Sequence, residues 1–280
     1  MLWRESVNAA AARLDAAGAD SAFHDALALA EFCGADRHGL GAPVSSPAGA
    51  RYARLVKRRE NREPLQHILG KMWFRYLELS VRPGTFIVRP ETELLAQEAI
   101  DELKRLVQNG REMPLAADLC AGSGAVGISL ATEVPQAKVV GIELSPLAFA
   151  VAQENNLRYG NRVRLWEGDI FTLGPRLRGK CDVVAANPPY VPLSHRLSPE
   201  VLCDPPMALY GGGRDGLAFP KKTLALAADL LRPGGLAVME HADGQERELC
   251  AYAQSLGLFS DVRTECDYTG RPRRISVRKC

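Results

Sequence analysis

Five short apolar segments follow one another after residue 114, separated by stretches with helical spacing. They lie at 115–119, 138–142, 162–166, 181–186 and 235–240. Strands that alternate with helices in this way are typical of a parallel sheet with helices packed on its faces. Near the C-terminus, Phe259–Val262 and Arg274–Val277 have no helix between them. We therefore predict an α/β, Rossmann-like fold with a mostly parallel seven-stranded sheet and an antiparallel final strand.

The first 62 residues have a different pattern, which predicts a small helical domain. Ser46-Pro47 resembles a helix cap followed by proline in the first turn, and so predicts the start of a third helix. That helix is strongly basic, with Arg51, Arg54, Lys57, Arg58, Arg59 and Arg62. This basic face is either a solvated surface or a docking surface for an acidic or RNA-bound partner.

Residues 63–90 change character again and predict a connector between two domains. Phe74, Leu77, Leu79 and Val81, followed by Phe86–Val88, predict short strands around Arg82-Pro83-Gly84, in a hairpin-like arrangement. Arg89–Glu93 is predicted to open a helix that runs to about Val107, with proline in its first turn and carboxylates near its positive end. We predict three regions, 1–62 for docking, 63–90 as connector and 91–280 as the α/β domain.

Composition excludes several classes of protein. The net charge of the 280-residue chain is +2, so its overall charge does not require a nucleic-acid partner. Its seven cysteines form no Cys-x-x-Cys pair, which argues against a zinc site or a disulfide framework. No apolar run approaches the roughly 18 residues of a membrane span, and Arg4 and Glu5 interrupt any signal-like segment. We expect a cytoplasmic protein without a metal.

The loop after the first strand of the predicted sheet has the composition of a nucleotide-binding turn. The segment runs Asp118-Leu119-Cys120-Ala121-Gly122-Ser123-Gly124, and a helix follows it. Glycine lets the backbone approach a ligand closely, and the helix start supplies free N–H groups. Glu143 ends the next strand, 19 residues after Gly124, where a carboxylate can accept both ribose hydroxyls. Because Gly122, Gly124 and Gly127 also match the dinucleotide fingerprint, a nicotinamide cofactor stays an alternative.

Three features favour S-adenosylmethionine over a nicotinamide. The turn from Asp118 to Gly122 is wider than a pyrophosphate loop usually is. Gly168-Asp169 follows the third strand, where an adenine amine needs an acceptor, although Asp169 could equally cap a helix. The segment after the fourth strand, Asn187-Pro188-Pro189-Tyr190, suits an NH₂ group that accepts a methyl and has no evident role in hydride transfer.

This fourth-strand segment, here called the clamp (residues 187–190), combines groups that can hold a planar NH₂. Proline fixes φ and has no N–H, so its carbonyl can be held outward as an acceptor. Asn187 adds a side-chain carbonyl acceptor and an NH₂ that can be anchored elsewhere. Tyr190 could pack on the flat face of the bound group. We predict that Asn187 and the Pro188 carbonyl each accept one N–H. His195 is a possible base, but a surface position is the stronger expectation.

The order of these motifs resembles the release factor glutamine methyltransferases. Besides the loop and the clamp, the matching segments are Glu63–Gly70, Arg89-Pro90-Glu91-Thr92-Glu93, Asp204–Leu209, Gly212–Leu217 and Asp267–Arg273. The resemblance implies a class I S-adenosylmethionine-dependent methyltransferase that methylates the glutamine amide in the Gly-Gly-Gln loop of class I peptide chain release factors. It implies cofactor binding by Cys120, Ala121, Gly122, Ser123, Gly124, Glu143, Asp169, Ile170 and Asn187. It implies substrate binding and catalysis by Asn187, Pro188, Pro189 and Tyr190.

Departures from the family pattern are mild. Cys120-Ala121 stands where Gly-Thr is commoner, Glu143 where Asp is commoner, and Ile170 where some members have an aromatic residue over adenine. Four alternatives stay open at this point: a nucleic-acid amino-methyltransferase acting on adenine or guanine, a glutamine methyltransferase of a ribosomal protein, a nicotinamide oxidoreductase, and a non-catalytic adapter. We expect no membrane partner and no requirement for direct nucleic-acid contact.

Overall fold

The structure is a computed structural model that describes residues 1–280. It has eleven α-helices and nine strands. The helices are α1 (Trp3–Ala16), α2 (Ala22–Phe32), α3 (Ser46–Glu60), α4 (Leu65–Leu69), α5 (Thr92–Gln108), α6 (Ala125–Glu133), α7 (Pro146–Arg158), α8 (Ile170–Leu173), α9 (Pro206–Leu209), α10 (Ala218–Leu230) and α11 (Glu246–Ser255). The strands are β1 (Lys71–Phe74), β2 (Leu77–Ser80), β3 (Leu115–Leu119), β4 (Lys138–Glu143), β5 (Val163–Glu167), β6 (Cys181–Ala186), β7 (Leu231–Glu240), β8 (Phe259–Cys266) and β9 (Pro272–Lys279). None of the helices is both long enough and apolar enough to cross a membrane.

The chain divides into two units, residues 1–72 with 197–203, and residues 73–196 with 204–280. The first, here called the N-terminal unit, packs α1, α2 and α3 around an apolar core. Tyr52 joins two of these helices, because its ring packs edge-on against Trp3 and its hydroxyl donates to the Ala26 carbonyl at 3.0 Å. The cap of α3 is Ser45, one residue before the predicted position.

The basic face of α3 is largely neutralised within the N-terminal unit. Buried Arg59 donates to Asp25 at 2.7 Å, and both Arg59 and Arg62 bind Glu200. Arg58 pairs with Glu63, and Lys57 lies 3.4 Å from Glu60. Only two of its basic side chains form no ion pair, Arg51, which lies over the Phe32 ring, and exposed Arg54. The number of charges available to a partner is therefore much smaller than the sequence suggests.

The connector contains a two-stranded sheet, but its details differ from the prediction. Strands β1 and β2 pair through a turn at Arg75-Tyr76, not around Arg82-Pro83-Gly84. The predicted strand at Phe86–Val88 is wrong, because this segment belongs to neither sheet. Arg75 explains the position of the turn: it has a positive φ of 52°, and its guanidinium binds Glu133 at 2.6 Å. A sequence pattern cannot show an ion pair with a residue 58 positions away.

The seven-stranded sheet has the order β5-β4-β3-β6-β7-β9-β8, which confirms the predicted fold class. Strands β3 to β7 are parallel, and β9 is antiparallel to both of its neighbours. The central strand β6 is buried along its whole length. The order reverses between β3 and β6, since β4 and β5 lie on one side of β3 and β6 lies on the other. Ligands of open α/β sheets bind at such a reversal, at the carboxyl ends of the strands.

The register brings the predicted site loops together at that edge. Leu119 pairs with Ala186, so the loop after β3 and the clamp after β6 begin side by side. Glu143 pairs with Glu167, so the end of β4 lies beside the turn that leads to Asp169. Residues that are up to 69 positions apart in the chain, from Asp118 to Asn187, are thus delivered to one edge by strand pairing alone.

Candidate active site

A cavity of about 310 Å³ opens at the carboxyl edge of the sheet, and all of its walls belong to the second unit. The cofactor loop and its surroundings form one part of the wall, through Asp118, Cys120, Ala121, Gly122, Ser123, Ala125, Val126, Ile142, Glu143, Leu144, Ser145, Ala148, Asp169, Ile170 and Phe171. The clamp and the segments beside it form the rest, through Gly84, Phe86, Val88, Thr92, Asn187, Pro189, Pro205, Met207, Ala208, Tyr210 and Phe219.

The loop after β3 turns sharply into α6. Cys120, Gly122 and Gly124 all have positive φ, of 62°, 57° and 84°. A Cβ added to Gly122 would meet no atom within 4 Å, so the backbone here faces open space. Asp118 fixes the loop to the helix, because its carboxylate accepts from the Gly127 N–H at 2.8 Å. Burial raises the pKa of Asp118 to about 7, although that hydrogen bond opposes the shift.

Glu143 closes β4 and lies against the same loop. Its two carboxylate oxygens accept from the Gly122 and Ser145 N–H groups, each at 2.7 Å. Burial raises the pKa of Glu143, and these backbone hydrogen bonds work against the increase. Each carboxylate oxygen has more than one acceptor position, so the side chain can still receive hydroxyl groups from a ligand. The predicted ribose residue therefore also holds the loop in shape.

Asp169 has the capping role that the sequence left open, and its position on the cavity wall leaves the predicted role towards adenine as a prediction. It caps α8, where Oδ1 accepts from the Phe171 N–H at 2.8 Å, and it also lines the cavity. Buried Ile170 follows it on the cavity wall. Phe171 and Phe219 supply the aromatic surface that Ile170 lacks, with their rings edge-to-face at 5.4 Å between centroids. This part of the cavity wall is apolar and partly aromatic.

Asn187 is held by side chains from two distant parts of the chain. Its Nδ2 donates to the Thr92 hydroxyl at 3.1 Å, and Thr92 donates to the Glu240 carboxylate at 2.7 Å. The Tyr190 hydroxyl donates to the other oxygen of that carboxylate at 2.8 Å. No group of the chain donates to Asn187 Oδ1 or to the Pro188 carbonyl. The clamp thus has its NH₂ anchored, while two of its acceptors receive no hydrogen bond from the chain.

Two glycines allow another loop to support the backbone of the clamp. A Cβ on Gly211 would lie 2.8 Å from the Pro189 oxygen, and one on Gly216 would lie 2.2 Å from the Tyr190 oxygen. Gln245 ties the two segments together, since its Nε2 donates to the carbonyls of Tyr190 and Asp215 at 2.9 and 2.8 Å. Any side chain at either glycine would displace the clamp, which gives a physical role to Gly216 in the matched segment 212–217 and to Gly211 just before it.

Asp204 also joins two segments that line the cavity. Its buried carboxylate accepts from the Ile87 N–H at 3.0 Å and from the Arg89 guanidinium. This joins the segment before α5 to the segment before α9 and places Phe86, Val88 and Met207 on the cavity surface. Two of the matched motifs are therefore parts of one structural unit, although 115 positions separate Arg89 from Asp204.

Most of the predicted site residues surround the cavity. Those that line it are Cys120, Ala121, Gly122, Ser123, Glu143, Asp169, Ile170, Asn187 and Pro189. Gly124, Pro188 and Tyr190 lie outside its lining, with Gly124 at the cap of α6 and Tyr190 turned to Glu240. His195 is exposed and does not line the cavity, as expected for a surface histidine.

Sequence reasoning missed Thr92 and Glu240. Glu240 is the last residue of an apolar strand, so the rule that indicated Glu143 could also have found it. Thr92 lay in a matched motif without an assigned role. Phe171 and Phe219 were also missed, because nothing local indicates that their rings meet across 48 positions.

The chain is similar to known proteins over most of its length. Residues 5–70 match the family model described as the PrmC N-terminal domain, and residues 116–271 match a methyltransferase domain. A crystal structure of a methyltransferase from Pyrococcus furiosus superposes with a TM-score of 0.52 at 21% identity, covering 72% of this chain and 88% of that chain, and supports the fold. The fold and the matches define a class I S-adenosylmethionine-dependent methyltransferase.

Similar proteins from other organisms define the family more closely. A release factor glutamine methyltransferase from Streptomyces coelicolor is 42% identical over 95% of this chain and 94% of its own length. Another from Bifidobacterium longum is 39% identical over 98% and 99%. A 4-amino-L-phenylalanine/4-methylamino-L-phenylalanine methyltransferase from Streptomyces pristinaespiralis is 38% identical over 91% and 88%. The chain belongs to the release factor glutamine methyltransferase family.

Proposed function

We propose that this chain transfers a methyl group from S-adenosylmethionine to the side-chain amide nitrogen of the glutamine in the Gly-Gly-Gln loop of class I peptide chain release factors. The observation that carries the proposal is the clamp: Asn187 has its NH₂ anchored on Thr92, and its Oδ1 and the Pro188 carbonyl receive no donor from the chain. Two adjacent acceptors match the two N–H groups of a primary amide. The names of the full-length relatives support the same substrate.

The residues of the cavity fit S-adenosylmethionine. Glu143 would receive the ribose hydroxyls, and Asp169 has a second oxygen, Oδ2, for an adenine amine. The apolar surfaces of Ile170 and Phe171 would lie against the adenine ring. The open space beside Gly122 leaves room for a ligand near the loop backbone. When bound, the cofactor supplies a methyl group on a positively charged sulfur.

The clamp performs orientation, because an amide nitrogen is a poor nucleophile whose lone pair is delocalised into the carbonyl. Holding both N–H groups aims the nitrogen lone pair at the methyl carbon, and such positioning contributes up to about 7–11 kcal/mol. As the N–C bond formed and the methyl–sulfur bond broke, neutral S-adenosylhomocysteine would be the leaving group and the nitrogen would become positive. Its hydrogen bonds to the Asn187 and Pro188 oxygens would then strengthen, which favours the transition state over the ground state. The alkylated amide is strongly acidic, so solvent can take its proton without a dedicated base.

We also propose that residues 1–62 form a docking module for the protein substrate, that residues 63–90 connect it, and that residues 91–280 perform methyl transfer. The match of residues 5–70 to a domain model of this family supports a common role for the N-terminal unit. The surface of that unit that is free of ion pairs includes Arg51 and Arg54. Such a surface would contact the folded release factor and would leave the glutamine to the clamp.

The direct test is transfer of labelled methyl from S-adenosylmethionine to a purified release factor, with mapping of the product by mass. We expect one methyl group on the glutamine of the Gly-Gly-Gln loop, and none when that glutamine is replaced by alanine. Parallel reactions contain 4-amino-L-phenylalanine, a purified large ribosomal subunit or nucleic acid. Faster methylation of any of these than of the release factor would contradict the proposed substrate.

A further inference from the structure

The buried carboxylate of Glu240 lies beyond the clamp, in line with Asn187 and Thr92. It is 3% exposed, and two hydroxyl groups donate to it, Thr92 to Oε2 at 2.7 Å and Tyr190 to Oε1 at 2.8 Å. It does not line the cavity, so it does not touch a ligand there. A buried carboxylate with only neutral donors is costly to retain for stability alone, which calls for another explanation.

The explanation lies in the direction of the hydrogen bonds. An ionised carboxylate only accepts hydrogen bonds, whereas a hydroxyl has a single hydrogen to donate. Because Thr92 donates its hydrogen to Glu240, its oxygen can act towards Asn187 only as an acceptor. The group of Asn187 that faces Thr92 must then be the NH₂, as the structure shows. The Glu240 carboxylate therefore determines the direction of both hydrogen bonds, from Asn187 to Thr92 and from Thr92 to Glu240.

We propose that Glu240 is a positioning residue that, through Thr92, fixes which end of the Asn187 amide is presented to the substrate. The two ends of an asparagine amide have nearly the same shape, so packing alone distinguishes them poorly. If the amide turned over, its NH₂ would meet the NH₂ of the substrate, donor against donor. Glu240 excludes this orientation. The inference deepens the proposed function, since it concerns how the same clamp accepts an amide.

The two hydrogen bonds from Asn187 through Thr92 to Glu240 also polarise the Asn187 side chain. Hydrogen bonds in series strengthen one another, and here the series ends on the Glu240 carboxyl group. The Asn187 Oδ1 atom thereby becomes a better acceptor at the point where positive charge develops on the substrate nitrogen. Tyr190 holds the second oxygen of Glu240 and stops the carboxylate from rotating away from Thr92. This gives the tyrosine of the clamp a role behind Asn187, in place of the predicted packing on the substrate, since Tyr190 does not line the cavity.

The test uses the full-length chain and compares Glu240→Gln with Thr92→Val and Thr92→Ser. Glutamine cannot accept from Thr92 and Tyr190 at both of its end atoms, so one of the two donors must turn away. We expect kcat to fall by about 10²-fold, the cost of a misplaced reacting group. Thr92→Val should lose a similar factor, and Thr92→Ser, which keeps the hydroxyl, should restore most of it. Affinity for S-adenosylhomocysteine should stay unchanged in Glu240→Gln, because Glu240 does not line the cavity.

The matched control is Glu102→Gln, which alters another buried glutamate that bonds to Arg105 and Arg278 and lies outside the cavity. It should lower the melting temperature and leave kcat unchanged. Wild-type kcat in Glu240→Gln would overturn the proposal. The proposal would also be overturned if Glu240→Gln and Glu102→Gln lost kcat to the same extent for the same decrease in melting temperature.

A readout that needs no methyl transfer separates this proposal from the proposed function. The side-chain NH₂ of Asn187, assigned by its absence from the NMR spectrum of Asn187→Ala, should show a nuclear Overhauser contact to the Thr92 methyl group. The contact should disappear in Glu240→Gln and persist in Glu102→Gln. Absence of the contact in the wild type would overturn the positioning role. Failure of the wild type to methylate release factor, with the contact present, would contradict only the proposed substrate.

Discussion

Glu200 in the N-terminal unit and Glu240 in the second unit are carboxylates with two side-chain partners each, but their partners differ. Glu200 accepts from Arg59 at 2.9 Å and from Arg62 at 2.5 and 2.6 Å. Burial opposes ionisation there, yet these guanidinium groups outweigh it and lower the pKa of Glu200 to about 2. Glu240 has only hydroxyl donors, and its burial raises its pKa instead.

The difference separates an interaction that stabilises the fold from one that orients a site. A folded-state pKa below the unfolded value contributes stability above the unfolded pKa, and this stability is lost as the pH falls. That is the case of Glu200. A raised folded-state pKa has the opposite sign, because its contribution is present at low pH and is lost as the pH rises through the folded pKa. Ionised Glu240 therefore costs stability, which is consistent with a role in positioning.

The largest effect on turnover should come from removing Asn187, which the Thr92 hydroxyl links to Glu240. Asn187→Ala deletes an acceptor for the reacting amide, and by analogy with lost oxyanion donors we expect kcat to fall by about 10²–10³-fold. Asn187→Asp should fail as well, because it loses the NH₂ that donates to Thr92 and adds a charge. Calorimetry with S-adenosylhomocysteine should show a much smaller loss of affinity. Turnover near the wild-type value in either variant would contradict the assignment of the clamp.

A third carboxylate, Glu143, is intermediate between Glu200 and Glu240. Backbone N–H groups donate to it, and the ribose hydroxyls of a bound cofactor are expected to supply its remaining hydrogen bonds. Glu143→Ala should weaken S-adenosylmethionine binding by about 1.5–3 kcal/mol, the range for hydrogen bonds to a charged group. The measurement is calorimetry with S-adenosylmethionine and NADH. Unchanged affinity, or a larger effect on NADH than on S-adenosylmethionine, would contradict the assignment of the cofactor.

Glu200→Gln tests whether the ion pairs of Glu200 stabilise the N-terminal unit. This change leaves Arg62 without its carboxylate partner, whereas Arg59 keeps Asp25. We expect the free energy of unfolding to fall by about 1–3 kcal/mol at neutral pH, since a pKa shift of one unit corresponds to 1.36 kcal/mol. Turnover on a short Gly-Gly-Gln peptide should not change. Denaturant unfolding measures the first quantity, and an unaltered midpoint would show that the ion pairs do not stabilise the unit.

These partnerships mark the limit of what the sequence could predict. The positions of the strands after residue 114, the loop at residues 120–124 and the clamp could be predicted, because apolar periodicity and turn chemistry are local. The order of the strands in the sheet depends on long-range pairing and was not predicted. Glu240 and Thr92 are 148 positions apart, and Arg59 and Glu200 are 141 apart, so their contacts depend on the finished fold. The basic face of α3 resembled a charged surface for the same reason. The turn at Arg75 was missed because a distant glutamate holds it.

The comparison also predicts a pH dependence. Burial raises the pKa of Glu240, Glu91 adds to the shift, and the donors Thr92 and Tyr190 and the cation Arg273 oppose it. As the pH falls, Glu240 should take up a proton above the ordinary value of 4.5 and stop accepting from both hydroxyls. The value of kcat at saturating substrates should then decline on the acid side. Glu240→Gln should lack this decline, and an identical profile for both proteins would assign the acid limb to another group.

The smallest effect should come from the two arginines of α3 that have no ion pair. If this surface docks the release factor, Arg51→Glu with Arg54→Glu should raise the apparent KM for intact release factor several-fold at low salt, because an exposed charge contributes up to about 1 kcal/mol. The effect should shrink at high salt, where exposed charges are screened. A Gly-Gly-Gln peptide, which lacks the distant contacts, should be methylated equally by both proteins. Charge reversal at Arg62 would not be a clean test, because Arg62 forms an ion pair with Glu200 and its loss would lower stability as well as any docking affinity. An unchanged KM at low salt would show that this face is only solvated, and the N-terminal unit would then have to bind its partner through other residues.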